Sequence, residues 1–536
     1  LLVFFSPLPI LVSAILAIAF ALVAIQGIHD APNIAARLAR TRALGETPNL
    51  VGRIVLRMQI QPALENAVRF GADTGDDSLS DSLDSHIDAS LGSPETGLLA
   101  FADEWSDEFP AIRRSAALLV TSQDAPPGER ARTLERALGA VLDGTREQMA
   151  DFTSSIQGPT TALYAFGVML PLALVALFPA AGIAGFGGGV SIWFFFLVYN
   201  ILLPGILIGA SVWLLVRRPV AFPPPRVTRA HPDVPTSTTP SVLGGLGVGV
   251  AAAVATFLFG PSALAPIAGL GMGLGVFLVI YYRPIMNVRN HVKDVEEHLV
   301  DALFLTGRLV AEDNAVEAAI EQGADRIPAA TGEVFQRASN LQRRVHVGVH
   351  EAFHGEYGAL RNVPSTRADS TTTLLAIASE EGQPAGKALI SMANHIEELQ
   401  EVEQETKRSL SAVTDTLDNT ASFFGPMVAG ATVGLAGGIA SEAEDGGIDA
   451  GGDAAGGAGL PGNFDLELED GLAISPDQLG LVIGVFVILL CLILVPLSVS
   501  LKHGFDRSLV GYSVGTALVA ATPIYIITMM LVSVLV

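Results

Sequence analysis

Eight stretches of this 536-residue chain run for about 16 to 28 residues without an acidic or basic side chain: Leu1–Ile28, Thr160–Ala184, Ser191–Val216, Ser241–Phe259, Pro261–Tyr282, Gly425–Ala440, Gln478–Leu501 and Leu509–Val536. A helix needs about 20 apolar residues to cross the hydrocarbon core of a bilayer. A lipid-facing segment must also satisfy its backbone polar groups internally, which leaves helices or closed barrels. Most of the stretches are long enough, so eight spans are expected; Gly425–Ala440 is the shortest and is rich in glycine. The mean hydropathy of +0.48 and the 50% hydrophobic content follow from these blocks. Leu1–Ile28 has no basic region ahead of it and is longer than a signal-peptide core, so it reads as a retained span. The chain opens in mid-apolar text, which suggests a segment upstream.

Two long polar stretches, 29–159 and 283–420, separate the spans. The rest divides into a membrane hairpin at 160–216, a Pro-rich linker at 217–240, a second hairpin at 241–282, a span at 421–440, an acidic Gly-rich loop at 441–477 and two spans at 478–536. Arginines and lysines mark the inner face of a membrane. Arg37, Arg40 and Arg42 follow the first span, Arg217 and Arg218 the third, Arg283 and Arg289 the fifth, and Lys502 and Arg507 lie between the last two. Ser441–Asp477 holds ten acidic residues and no basic one. Alternating through eight spans puts every basic flank on one side and this loop on the other. Both polar stretches are therefore expected to be cytoplasmic, and the chain a multi-pass protein of the cell membrane.

The polar stretches read as helical, and they repeat. Ala63–Asp73 (ALENAVRFGAD) and Ala315–Asp325 (AVEAAIEQGAD) share six of eleven positions at an offset of 252. In both, apolar or small residues fall at i, i+3, i+4 and i+7, one face of a helix. Further matches drift in one direction: Phe101–Trp105 with Phe353–Tyr357 at 252, Pro110–Arg113 with Pro364–Arg367 at 254, and Phe166-Gly167 with Phe424-Gly425 at 258. A few small insertions produce such a drift, and a period this long indicates a duplicated domain. Period-two strand patterns are nearly absent. The expected fold is all-α: a polytopic membrane protein with two duplicated cytoplasmic helical bundles. Gly71 and Gly323 close the repeated line, and each is expected to end its helix in a left-handed turn.

The formal charge is −23, and only four of the 31 basic residues are lysines. Such a balance resembles proteins of salt-accumulating haloarchaea, in which solvated carboxylates maintain solubility. It argues against nucleic acid as a main partner. The single cysteine, Cys491, excludes a disulfide framework and a cysteine-based metal site.

His350-Glu351-Ala-Phe-His354 matches HExxH, in which two histidines on one helical face bind zinc and the glutamate activates water. The positions equivalent to the histidines in the first repeat are Leu98 and Ala102, so the element exists there without ligands. His346 extends the histidine row beside Arg343 and Arg344, and a solvated cationic face is the reading favoured here. No metal or cofactor is expected. The glycine cluster Gly446–Gly462 lacks the lysine of a phosphate loop and reads as flexible. Arg113, Arg114 and Arg367, near the recurring Pro-x-x-Arg, are candidate contacts for an acidic partner, with surface ion pairs as the plainer reading.

The chain resembles the F-type platform proteins of type II and type IV secretion systems, in their archaeal pilus or archaellum form. The resemblance rests on two helical domains between membrane hairpins and on the Ala-x-Glu-x-Ala-x-x-x-Gly helix. It also rests on FGVMLPLALVALFP, YNILLPG and VRRP (Phe166–Pro179, Tyr199–Gly205, Val216–Pro219). It implies a non-enzymatic scaffold that docks a hexameric secretion ATPase, receives prepilins from the bilayer and forms a homo-oligomer. The acidic loop Ser441–Asp477 has no counterpart in that pattern. Two other readings are a zinc peptidase centred on His350, Glu351 and His354, and a repeat-built transporter. The spans lack the ionisable residues that transporters use.

Overall fold

The structure is a computed structural model that describes residues 29, 32–75, 77–90, 96–175, 192–219, 227, 229, 231–381, 385–445 and 475–535. The described residues are helical, with no strand among them. After α1 (residues 32–44), the first bundle comprises α2 (Thr47–Ile60), α3 (Leu64–Asp73), α4 (Ser78–Ala89), α5 (Gly97–Trp105), α6 (Pro110–Gln123) and α7 (Pro127–Tyr164). A π-helical turn (Ala165–Met169) carries α7 on to residue 175. The helix α8 (Ile192–Leu197), a second π-turn (Val198–Leu202) and α9 (Leu203–Val216) return across the apolar layer. The helices α10 (Thr239–Phe259) and α11 (Ala265–Glu297) form the middle hairpin.

The second bundle follows in the same order: α12 (Leu299–Ala311), α13 (Val316–Ala324), α14 (Ala329–Val345), α15 (Val349–His354), α16 (Thr366–Glu381) and α17 (Ala385–Asn419). A third π-turn (Thr420–Phe424) leads into α18 (Gly425–Asp445). The chain closes with α19 (Pro476–His503) and α20 (Arg507–Leu535). Each bundle ends with its longest helix, and each of those helices passes through a π-turn into the apolar layer.

Each bundle is held by its own apolar interior. Leu64, Ala67 and Val68 of α3 are buried, as are Val316, Ala319 and Ile320 of α13. Phe101 and Phe353 are fully buried at matched places in α5 and α15. Burying each of these aromatic side chains contributes about 2–3 kcal/mol relative to exposure.

Among the described residues, seven helices are long and apolar enough to cross a membrane, which makes the chain a multi-pass membrane protein by length and composition. They include the shortest expected span, now the apolar end of α17–α18. The central one is α19: 67% of its apolar window is buried inside the protein, against 11% for α10. Small residues allow the close crossings. Gly245 and Gly249 of α10 lie against the backbone of Gly269 and Gly273 of α11. Gly271 and Gly275 face α20, at Thr522 and at the carbonyl of Gly515. Without a hydrophobic drive between helices in lipid, such close contact supplies the association.

Several expectations change. Gly71 and Gly323 are not left-handed caps, because both lie inside their helices and α3 and α13 end at Thr74 and Asp325 in right-handed conformation. Among the described residues the only glycine with positive φ is Gly504. Gly71 is instead a contact point: a Cβ there would lie 2.7 Å from Cγ1 of Ile54 on α2. Part of the expected linker docks as well. Val234 is buried with Ile285 and Val288 of α11, and the Arg229 guanidinium stacks 3.5 Å from the Tyr281 ring. The first expected span, residues 176–184, most of the acidic loop and the Gly446–Gly462 cluster lie outside the described residues.

Candidate functional site

The two bundles meet at a buried polar seam. On one side is α2, which begins with a proline in its first turn, the position where a missing N–H costs nothing. Of its fourteen residues, TPNLVGRIVLRMQI, ten are buried. It can be buried all round because the first bundle packs on one flank and α16 and α17 pack on the other. Gly52 lets α17 approach, so that the ring of His395 lies directly over the α2 backbone.

Arg53 is the buried charge of this helix, whose other arginine, Arg57, is partly exposed. Arg53 is 4% exposed, and its guanidinium donates to the Gly71 carbonyl at 3.1 Å and to Ser80 Oγ at 2.9 Å and lies 3.8 Å from Asp77. Asp77 is fixed in turn by accepting from Leu79 N and Ser80 N at the start of α4. Burial pushes the Arg53 pKa down, against the opposing pull of Asp77 and Glu46. Burial also raises the carboxyl of Glu46, which accepts from Asn49 at 2.8 Å.

Across the seam, Arg367 at the start of α16 donates to Glu403 of α17 at 2.7 Å and to Glu296 of α11 at 3.5 Å. Ser365 Oγ donates to the same Glu296, and Lys407 lies 3.7 Å from Glu403. Burial alone would lower the Arg367 pKa, but Glu403 and Glu296 outweigh it and raise it. One guanidinium therefore ties α16 to two helices that both continue into the apolar layer. A cavity of about 40 Å³ separates Arg53 from Arg367 and His395, by volume enough for about two waters. Among the described residues, Nε of Arg53, Nε of Arg367 and Nδ1 of His395 have no protein hydrogen-bond partner.

The seam continues outward and toward the membrane. Arg146 of α7 lies 3.7 Å from Glu405 and 4.0 Å from Glu401 of α17, an exposed contact worth little by itself. At the boundary of the apolar layer, Arg218 donates to the Ser500 carbonyl of α19, and Thr41 of α1 donates to the Arg218 carbonyl at 3.2 Å. Ser498 of α19 donates to the Thr414 carbonyl of α17 at 3.1 Å, and Arg289 of α11 pairs with Asp506 at 3.0 Å.

The sequence-derived candidates separate. Arg367 is inside the seam with both acidic partners from its own chain, so it is not a docking arginine. Arg113 and Arg114 are exposed on α6, with Arg113 2.9 Å from Asp103. In the HExxH stretch, His350 and Glu351 are exposed, and the His350 and His354 rings stack with centroids 5.0 Å apart. Both ring nitrogens of His354 are engaged, Nδ1 with Asp369 at 3.0 Å and Nε2 with Thr372 at 3.0 Å. Among the described residues no group of three or more His, Cys, Asp or Glu is placed to hold a metal ion.

No local motif marks Gly52, Arg53, Glu296, His395 or Glu403. They come from three distant segments, so no local spacing joins them. The one available signal was Arg53, a lone charge in Val51-Gly-Arg-Ile-Val-Leu56. No protein-family model matches the chain, and neither a curated protein nor a solved structure matches it.

Proposed function

We propose that the chain is the integral-membrane platform of a type IV pilus-like or type II secretion-like machine, with both bundles cytoplasmic. It transmits the motion of a partner ATPase to pilin subunits held in the bilayer. The observation that carries this reading is the path from seam to membrane. The helices α7, α11 and α17 run from the bundles into the apolar layer, and Arg367 couples α16 to two of them. A push on either bundle is then shared by several membrane helices at once. The parallel order of helices in the two bundles supports a duplicated unit, and the Arg/Lys distribution supports the orientation. The chain contains no GxxxxGK[ST] nucleotide motif, so the partner supplies the energy.

A gene-deletion strain should lose surface filaments or the secreted substrate, while prepilin is still made and processed. The purified full-length chain should retain a hexameric secretion ATPase in a pull-down. Unchanged filaments and secretion, together with no ATPase retention, would remove the platform reading.

A further inference from the structure

The longest acid-free stretch of sequence in the second bundle covers the end of α14 and the turn after it, with Glu321 and Glu351 exposed at its edges. From Val334 to His350 there are three arginines and two histidines and no aspartate or glutamate, in a chain whose net charge is −23. Arg337 and Arg344 are seven residues apart and share a face of α14. Arg337 and Arg343 make exposed pairs with Glu333 at 4.0 Å and Glu321 at 3.1 Å, which water and salt screen. Arg344 is exposed and makes no ion pair or side-chain hydrogen bond among the described residues.

Basic side chains in a last helical turn suit the helix dipole. That explains Arg343 and Arg344 but not what surrounds them. Val345, next to them, is 60% exposed. His346 takes the left-handed conformation, φ 57° and ψ 41°, at the helix end where glycine is favoured. Its amide still donates to the Gln342 carbonyl at 3.0 Å. The chain thus keeps an exposed imidazole where a side chain is disfavoured, beside an unpaired guanidinium and an exposed valine. The turn is held from below, because Phe335 of α14 and Phe353 of α15 meet edge to face at 5.4 Å.

We propose that Arg344, Val345, His346 and His350 form a docking surface for an acidic segment of a partner protein, with Val345 as its apolar contact. Local positive charge on an acidic molecule selects such a segment and speeds its encounter. The surface is separate from the seam, and it holds whichever machine the chain serves.

The test places a photo-reactive amino acid at position 344 of the full-length chain in its native membrane and maps the crosslinked peptide by mass spectrometry. The expected product is one partner-protein segment of net negative charge. In a second strain the photo-reactive group is at position 345, and Arg343→Glu with Arg344→Glu should cut the yield at least tenfold. Reversing the charge of the mapped segment should restore it. A melting midpoint equal to the parent's shows that the charge-reversed chain is folded; if it is not, Arg344→Ala alone replaces it, with at least a threefold drop expected. Crosslinks to lipid, to nucleic acid or to a neutral or basic segment would overturn the proposal. So would no crosslink, or a yield indifferent to charge reversal.

Discussion

Gly52 of α2 and His395 of α17 are so close that a Cβ on Gly52 would lie 2.0 Å from Nε2 of the imidazole. No real Cβ tolerates that distance, so the glycine sets how near the two bundles come. Gly52→Ala must displace the ring or part the helices. The expected loss is about 1–3 kcal/mol, the usual cost of overpacking. It is read as a lower thermal midpoint of the full-length chain in detergent. An unchanged midpoint would mean that the ring swings aside freely and that the glycine does not set the spacing.

The same histidine makes the seam sensitive to acid. His395 lies ahead of the uncharged stretch that begins at Asn419, and burial, with Arg367 nearby, lowers its pKa to about 4. Its ordinary value is 6.5. Between these values the unfolded chain binds a proton that the folded chain refuses, so stability falls as pH drops from 6.5 toward 4, by roughly 1 kcal/mol per unit. Above 6.5 the term is flat. The raised carboxyl of Glu46 acts with the opposite sign at low pH. The measure is therefore the difference between wild type and His395→Asn, melted at pH 7.5 and pH 5. Equal slopes for the two proteins would show that His395 is not the titrating group.

Arg367 and Arg113 were grouped by sequence, and they should behave differently. Arg367→Leu leaves Glu296 and Glu403 facing each other with little solvent, and breaking such a pair costs about 3 kcal/mol. Adding Glu296→Gln and Glu403→Gln should recover much of that. Arg113→Ala removes only an exposed contact and should change stability by less than about 1 kcal/mol. Limited proteolysis and thermal melts of all three proteins check this ordering.

The matched glycines should also part. Gly71→Ala puts a methyl 2.7 Å from Ile54 and should destabilise. At Gly323 the nearest atom to a new Cβ is 3.6 Å away, an ordinary contact, and the helix continues through it. There alanine should add up to about 1 kcal/mol through helix propensity. Paired melts of the two variants should shift in opposite directions; a loss at Gly323 would mean that the end of α13 is not helical.

For the HExxH stretch, the bonds already made by His354 lead to a plain expectation. Titration of the full-length chain with Zn²⁺ should give less than one tightly bound ion per chain, and, under the proposed platform function, Glu351→Gln should leave assembly intact. One tight zinc per chain, with proteolysis lost in Glu351→Gln, would establish the peptidase reading.

How much was legible in advance depends on the range of the interaction. The helical face Leu64, Ala67, Val68 is visible in a dozen letters, because helix periodicity is local and a buried face must be apolar. HExxH was legible as text, yet its function depends on what lies around the ring nitrogens, and those partners come from α16. Gly71 was misread for the same reason. A glycine before Ala-Asp looks like a helix end until Ile54, seventeen residues earlier in the chain, is seen to occupy the space of its Cβ.

By itself the sequence determined the apolar blocks and the helical character of the polar stretches, since hydrocarbon thickness and helical periodicity act on consecutive residues. Only the tertiary structure decided that α2 is buried on all sides, that Arg367 is enclosed between Glu296 and Glu403, and that His395 rests on Gly52. These contacts join residues more than 30 to more than 300 positions apart. The sign and strength of a buried charge depend on its neighbours in space, which no local pattern records.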